Sequence, residues 1–229
     1  MTGRIAVVGT GTGVGKTVVT AGLVGRLRAE ARDARAVKPV QTGHPPDDDA
    51  GVVRTTCDAR EAATCLRTFE EPLAPAVAAD RAGERIDYGR LREVCREALD
   101  RPEVGVLEGV GGLRVPLATR ADGTVAEVID LVADLGLPSV VVARSGLGTL
   151  NHTALTVEAL ARRGVPVRGI VLNEYERATV AERTNPAELE RMTGLDVATL
   201  PPLDLTDPRE AVRGVRDAPL PRYALSGEK

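Results

Sequence analysis

The sequence predicts an α/β protein built on a single doubly wound, mainly parallel sheet with helices on both faces. Three observations carry that expectation. The apolar runs Ile5–Val8, Val104–Leu107 and Ser139–Ala143 are near-continuous, as strands covered on both faces are. Stretches with helical spacing fall between such runs. A glycine-rich loop joins the first run to the first helical stretch. No linker, repeat or low-complexity tract interrupts the 229 residues, so one domain spanning 1–229 is expected.

That first junction reads Gly9-Thr10-Gly11-Thr12-Gly13-Val14-Gly15-Lys16-Thr17. Strand, glycine loop, Gly-Lys-Thr and helix is the context of a phosphate-binding P-loop, with the nucleotide in the arms of the loop amides. In that arrangement Lys16 reaches the β- and γ-phosphates and the Thr17 hydroxyl serves Mg²⁺. Counting back five residues from Gly15 gives Thr10, with the glycine one earlier at Gly9, so the loop is one residue longer than the common form or folded differently. No G-x-G-x-x-G triplet can be drawn through it, which disfavours a dinucleotide fold.

The other elements follow in order. A helix over Val18–Leu27 leads to a strand at Arg35–Val40, which Pro39 closes. Asp47-Asp48-Asp49 opens a helix through Cys57, and the spacing predicts another from Asp58 to about Thr68. Pro72-Leu73-Ala74-Pro75 breaks regularity. Asp87 caps a helix to about Leu99 that turns Leu91, Val94, Cys95 and Ala98 to one side. After the strand at 104–107 comes Glu108-Gly109-Val110-Gly111-Gly112. Val125–Leu135 has helical period, Ser139–Ala143 is a strand, and Asn151 is the expected cap of a helix to Arg163. A strand over Val167–Leu172 follows. Asn185-Pro186-Ala187-Glu188 and Asp207-Pro208-Arg209-Glu210 each read as a helix start, with a short strand at Asp196–Leu200 between them.

With one Phe, three Tyr and no Trp, the core must rest on Val, Leu, Ile and Ala. The net charge of −3 and pI near 5.6 give no whole-chain basis for binding nucleic acid or a membrane. Three cysteines without C-x-x-C spacing read as buried thiols in a reducing compartment, and two histidines cannot build a histidine-rich metal site. No long apolar span or signal peptide is evident, so a cytoplasmic location is expected. The only lysines are Lys16, Lys38 and Lys229.

Ligands of open α/β sheets gather at the carboxyl ends of strands. The glycine loop, Lys38, Glu108 and Asn173 all fall there. Glu108 is either an Mg²⁺ partner or a turn residue capping its own loop. Asp47–Asp49 either serve the site or satisfy a helix's first turn. Lys38 is either a working cation or a solvated charge at a strand end.

Together these stretches resemble dethiobiotin synthetase, the ATP-dependent ring-closing enzyme of biotin synthesis. The resemblance rests on Gly9–Thr17, Lys38-Pro39-Val40-Gln41-Thr42-Gly43, Pro72–Ala79, Glu108–Gly112 and Gly148-Thr149-Leu150-Asn151-His152-Thr153. It covers residues 4 to about 173 and thins beyond. It implies that Lys16, Lys38, Thr12 and the loop amides of Gly13, Val14, Gly15 and Val18 hold the transferring phosphoryl group and substrate. It further implies Mg²⁺ at Thr17, Asp49 and Glu108, with Gly109, Val110 and Gly111 alongside the nucleotide. Asn173 would recognise adenine, with Pro201, Pro202 and Leu203 on the adenine side. Thr42 would contact the substrate, and Gly148, Thr149, Leu150 and Asn151 of one subunit would bind the substrate carboxylate in its homodimer partner.

The implied reaction joins 7,8-diaminononanoate (7,8-diaminopelargonate) and CO₂ (bicarbonate) at the expense of ATP, giving dethiobiotin, ADP and phosphate through a carbamate and a carbamic-phosphoric anhydride. Lys38 is expected to act on the reacting carbamate and not on the fold. Gly13 stands where some members carry an acidic residue, and no substrate-binding tyrosine can be placed in 175–185. A partitioning or positioning ATPase of the same fold is the main rival. Such proteins carry a lysine five residues before Lys16, where this chain has Gly11, and need a membrane or DNA surface that 217–229, neither strongly basic nor amphipathic, does not offer. A corrinoid amidotransferase would need a nucleophilic cysteine, and none follows residue 173.

Overall fold

The computed structural model describes residues 3–203, 207 and 209–217. Its centre is a seven-stranded sheet in the order β11-β10-β9-β1-β6-β2-β4, with every pairing parallel. These strands are β1 (Gly3–Gly9), β2 (Ala34–Lys38), β4 (Ala63–Cys65), β6 (Val104–Glu108), β9 (Ser139–Arg144), β10 (Val167–Asn173) and β11 (Val197–Thr199). Two short ribbons, β3 (Gln41–Thr42) with β5 (Thr68–Phe69) and β7 (Pro116–Thr119) with β8 (Val125–Glu127), lie outside it.

Successive residues of β1 feed opposite layers, as period-two geometry requires. Ile5 and Val7 join the core beneath α1 (Lys16–Ala29), α2 (Asp49–Cys57) and α8 (Arg209–Asp217). Ala6 and Val8 join the other layer, covered by α3 (Pro75–Arg81), α4 (Tyr88–Asp100), α5 (Val128–Asp134), α6 (Thr149–Arg162) and α7 (Val180–Thr193). Both layers are almost wholly aliphatic, and both faces of the sheet are covered. No helix of the described residues is long and apolar enough to cross a membrane.

The structure departs from the sequence expectations in four elements. Residues 58–68 are not a helix. Asp58 adopts a left-handed conformation that ends α2, one 3₁₀ turn follows at 60–62, and β4 then pairs Ala63 with Ala36 at the sheet edge. Val125–Glu127 is strand, closing a hairpin on β7, so the helix begins only at Val128, where Asp130 accepts the Glu127 amide. Asn151 is not a cap: Gly148, left-handed at φ 91°, precedes the helix, and Asn151 lies in its first turn. Asn185-Pro186 lies inside α7, whose cap is Thr179, accepting from the Glu182 amide at 3.1 Å. The expected start near Asp207 is observed, with Asp207 accepting the Arg209 amide at 2.9 Å. Pro208 and the tail 218–229 lie outside the described residues.

Candidate active site

The site forms where β1, β2, β6 and β10 end. The loop after β1 turns into α1 at Gly15, whose φ of 98° is left-handed. A Cβ there would lie 2.2 Å from Asn173 Nδ2, so only glycine lets the loop close against the end of β10. The first turn of α1 has neither an acidic residue nor a side-chain cap, which leaves its amides for an anion from outside the chain. The Lys16 ammonium folds back to donate to Gly11 O at 2.8 Å. Burial, and then the nearby Lys38 charge, lowers its pKa to about 8.

Lys38 is buried at the end of β2. Its Nζ is 2.9 Å from Glu108 Oε1, pairs with Asp49, and donates to Gly109 O at 3.3 Å. Burial pulls its pKa down, but Glu108 and Asp49 more than offset this and hold it above the usual lysine value. Asp49 is pushed up by burial and pulled further down by Lys38 and its hydrogen bonds, so it stays below the usual carboxylate range. Lys38 is therefore not a solvated strand-end charge. Thr17 Oγ1 donates to the same Glu108 oxygen at 2.9 Å.

Thr17, Asp49 and Glu108 thus converge from α1, α2 and β6. Their donor set fits Mg²⁺: hard oxygens, with two carboxylates and one hydroxyl. Among the described residues, no group of three or more His, Cys, Asp or Glu could hold a metal ion. A cation here would draw its remaining ligands from phosphate and water, as Mg²⁺ in nucleotide sites does.

Around this centre opens a cavity of about 710 Å³. Thr12, Gly13, Gly15, Lys16, Thr17, Val18, Lys38, Thr42, Asp49, Val110, Gly111 and Asn173, all anticipated from sequence, line it. Glu108 lies under its floor through Thr17 and Lys38. A second space of about 360 Å³ is walled by Val18, Asn173, Pro202 and Leu203 together with Glu174 and Glu176; Pro201 is exposed and outside its wall. Asn173 as a whole is 5% exposed, and its side-chain amide makes no hydrogen bond among the described residues. Val14 and Thr149 line a third cavity, of about 550 Å³, on the outer side of the loop. Gly148, Leu150 and Asn151 line none of the three.

Several residues around the cavity take places that the sequence reading left open or gave no specific role. Gln41 receives the Asp49 amide on Oε1 at 3.3 Å and donates to Thr42 O, tying β3 to the start of α2. Asp47 and the Pro72–Pro75 segment form one wall of the main cavity. The position of Gln41 within Lys38–Gly43 was the available signal. Glu174 (φ 55°) and Arg144 carry none in sequence.

Comparison with known proteins adds the family. A model described as an AAA domain matches residues 3–210. A protein of Haloferax mediterranei, "ATP-dependent dethiobiotin synthetase BioD", is 62% identical over 94% of this chain and 90% of its own length. One of the same description from Anaeromyxobacter sp. (strain K) is 48% identical over 85% and 88%. Among solved structures, the septum site-determining protein MinD of Pyrococcus horikoshii, complexed with Mg-ADP, superposes with a TM-score of 0.54 at 17% identity, covering 94% of this chain and 87% of that one. At that identity the likeness speaks for the P-loop fold alone.

Proposed function

This chain belongs to the ATP-dependent dethiobiotin synthetase family of ligases, and we propose that it closes the ureido ring of dethiobiotin from 7,8-diaminononanoate, CO₂ and ATP. The observation that carries the reading is the buried Lys38, set between Glu108 and Asp49 beside the phosphate loop. A charge-tuned ammonium next to a phosphate cradle, with no serine or cysteine among the described residues that line the cavity, suits phosphoryl transfer to an oxyanion supplied by the substrate.

One substrate amine adds to CO₂, losing a proton and forming the N–C bond of a carbamate. A carbamate oxygen attacks the γ-phosphorus as the bond to ADP breaks. The second amine then attacks the carbonyl of the resulting anhydride, phosphate leaves, a proton is lost and the ring closes. Lys38 follows the negative charge from carbamate to phosphoryl oxygens. Lys16, Thr12 and the amides from Gly13 to Val18 hold the phosphates, and Thr42 contacts the diamine. Asn173, with its free amide, suits the N6/N7 edge of adenine, flanked by Pro202 and Leu203. Thr17, Asp49 and Glu108 would hold Mg²⁺. That ion would neutralise phosphate charge.

The functional unit is a homodimer in the cytoplasm, in which the helix start at Gly148–Asn151 of one subunit serves the other's substrate. Leu147 is 97% exposed beside that helix start, where such a partner would cover it. The test is incorporation of label from ¹³C-bicarbonate into a cyclic urea when protein, ATP, Mg²⁺ and diaminononanoate are combined. Unlabelled or uncyclised product would defeat the reading.

A further inference from the structure

We propose that Gly214 of α8 is a positioning residue for nucleotide recognition, setting the base wall through Leu203, an inference that rests on the base space assigned above to adenine. Gly214 itself lines none of the three cavities around the loop. Leu203 lines the space of about 360 Å³ with Val18, Asn173 and Pro202. A Cβ at Gly214 would lie 2.8 Å and 2.9 Å from the two methyl carbons of Leu203. The Leu203 side chain therefore rests directly on the backbone of α8, with no room for a larger residue beneath it. Asn173 lines the same space, and its buried amide, without a partner among the described residues, marks that space as one for a polar ligand.

The other side of α8 is seated just as closely on α1. A Cβ at Gly22 would lie 2.5 Å from Ala211 O, and one at Gly25 would overlap Val212 Cγ2. Ala211 and Val215 are buried in the core layer that α1 covers. One helix thus offers its first-turn amides to the phosphates and, further along, carries the seat of the helix that backs Leu203. Close-packed contacts of this kind pass a displacement on and do not absorb it. A methyl group added at Gly214 drives Leu203 into the base space, while the phosphate loop, at the far end of the contact, keeps its geometry.

The experiment titrates ADP into the unaltered protein, Gly214→Ala, Leu203→Ala and the double variant by calorimetry. An overfilled contact of this kind is worth about tenfold in affinity. Gly214→Ala should weaken ADP binding by that factor and raise KM for ATP with it, leaving kcat at saturating ATP and KM for diaminononanoate unchanged. The double variant should bind ADP as Leu203→Ala does, because the overlap is gone and the two changes are not additive. A purely structural glycine would lower the melting temperature without this pattern. Should Gly214→Ala not fold, Gly25→Ala, which presses on α8 through Val212, takes its place in the cycle with Val212→Ala as the relieving change. Unchanged ADP affinity, losses that add, or an equal fall in kcat each overturn the proposal. Failure of the unaltered protein to bind ADP defeats the base-site reading and this inference with it; ADP binding with additive losses defeats this inference alone.

Discussion

Lys38 Nζ lies 2.9 Å from Glu108 Oε1, and both side chains are almost fully buried, with Asp49 closing the other side of the ammonium. This pairing alters the expectation that Lys38 serves the reaction without holding the fold. Replacing it would leave two carboxylates facing each other in a poorly solvated space. Breaking a buried pair costs about 3–5 kcal/mol. Lys38→Gln should therefore lower both kcat and melting temperature. Adding Glu108→Gln should restore part of the melting temperature and none of the turnover. A double variant that regains activity would remove Lys38 from the chemistry.

Asp49 and Glu108 approach Thr17 and Lys38 from different elements, which is why both are proposed to serve one cation. Asp49→Asn and Glu108→Gln should each raise the Mg²⁺ concentration needed for half-maximal rate. Titration of Mg²⁺ at saturating ATP checks this. An unchanged Mg²⁺ dependence in both variants would reduce them to partners of Lys38.

Lys16, held at a pKa of about 8 by burial and then by Lys38, should make ATP binding proton-linked. Between pH 8 and the unfolded lysine value near 10.4, the unfolded chain binds the proton that the folded chain has lost. For this group stability therefore rises with pH across that window, and the cost of burying the ammonium is felt below it. Phosphate favours the ammonium, so ATP binding at pH 8.5 should take up a proton and weaken as pH rises further. Calorimetry in buffers of different ionisation enthalpy reads this directly. Buffer-independent heats would contradict it.

Gly15 and Asn173 leave no room for a side chain between the loop and the end of β10. Gly15→Ala combines a left-handed backbone at φ 98° with a 2.2 Å approach to Asn173 Nδ2. It should cost about 1 kcal/mol or more in stability. Its larger effect should be on KM for ATP, because the displaced group is the amide proposed to read the base. A normal KM for ATP would separate Asn173 from base recognition.

Much of this was legible because the motif ties residue type to position. The run into Gly9, the turn at Gly15 and the ends of β2 and β6 follow from local pattern, and Lys16, Lys38 and Glu108 lie at those ends. What was not legible depends on partners far along the chain. Ala63-Thr64-Cys65 has no strand signal of its own and becomes β4 only by pairing with β2. Asn185-Pro186 imitates a helix start, while its amide is taken by Ser145 O at 2.7 Å and Gly146 O at 3.1 Å. The true cap, Thr179 with Glu182, was present as a readable Thr-x-x-Glu pattern. Arg144 gains its place only through Gly13, 131 residues earlier.

The most direct test of the central claim is ADP release by purified protein with Mg-ATP, measured with diaminononanoate alone, bicarbonate alone, and both. Release should require both together, remain near background with either one, and disappear in Lys16→Ala while that variant stays folded. Equal ADP release without the diamine, or release insensitive to Lys16→Ala, would contradict the account.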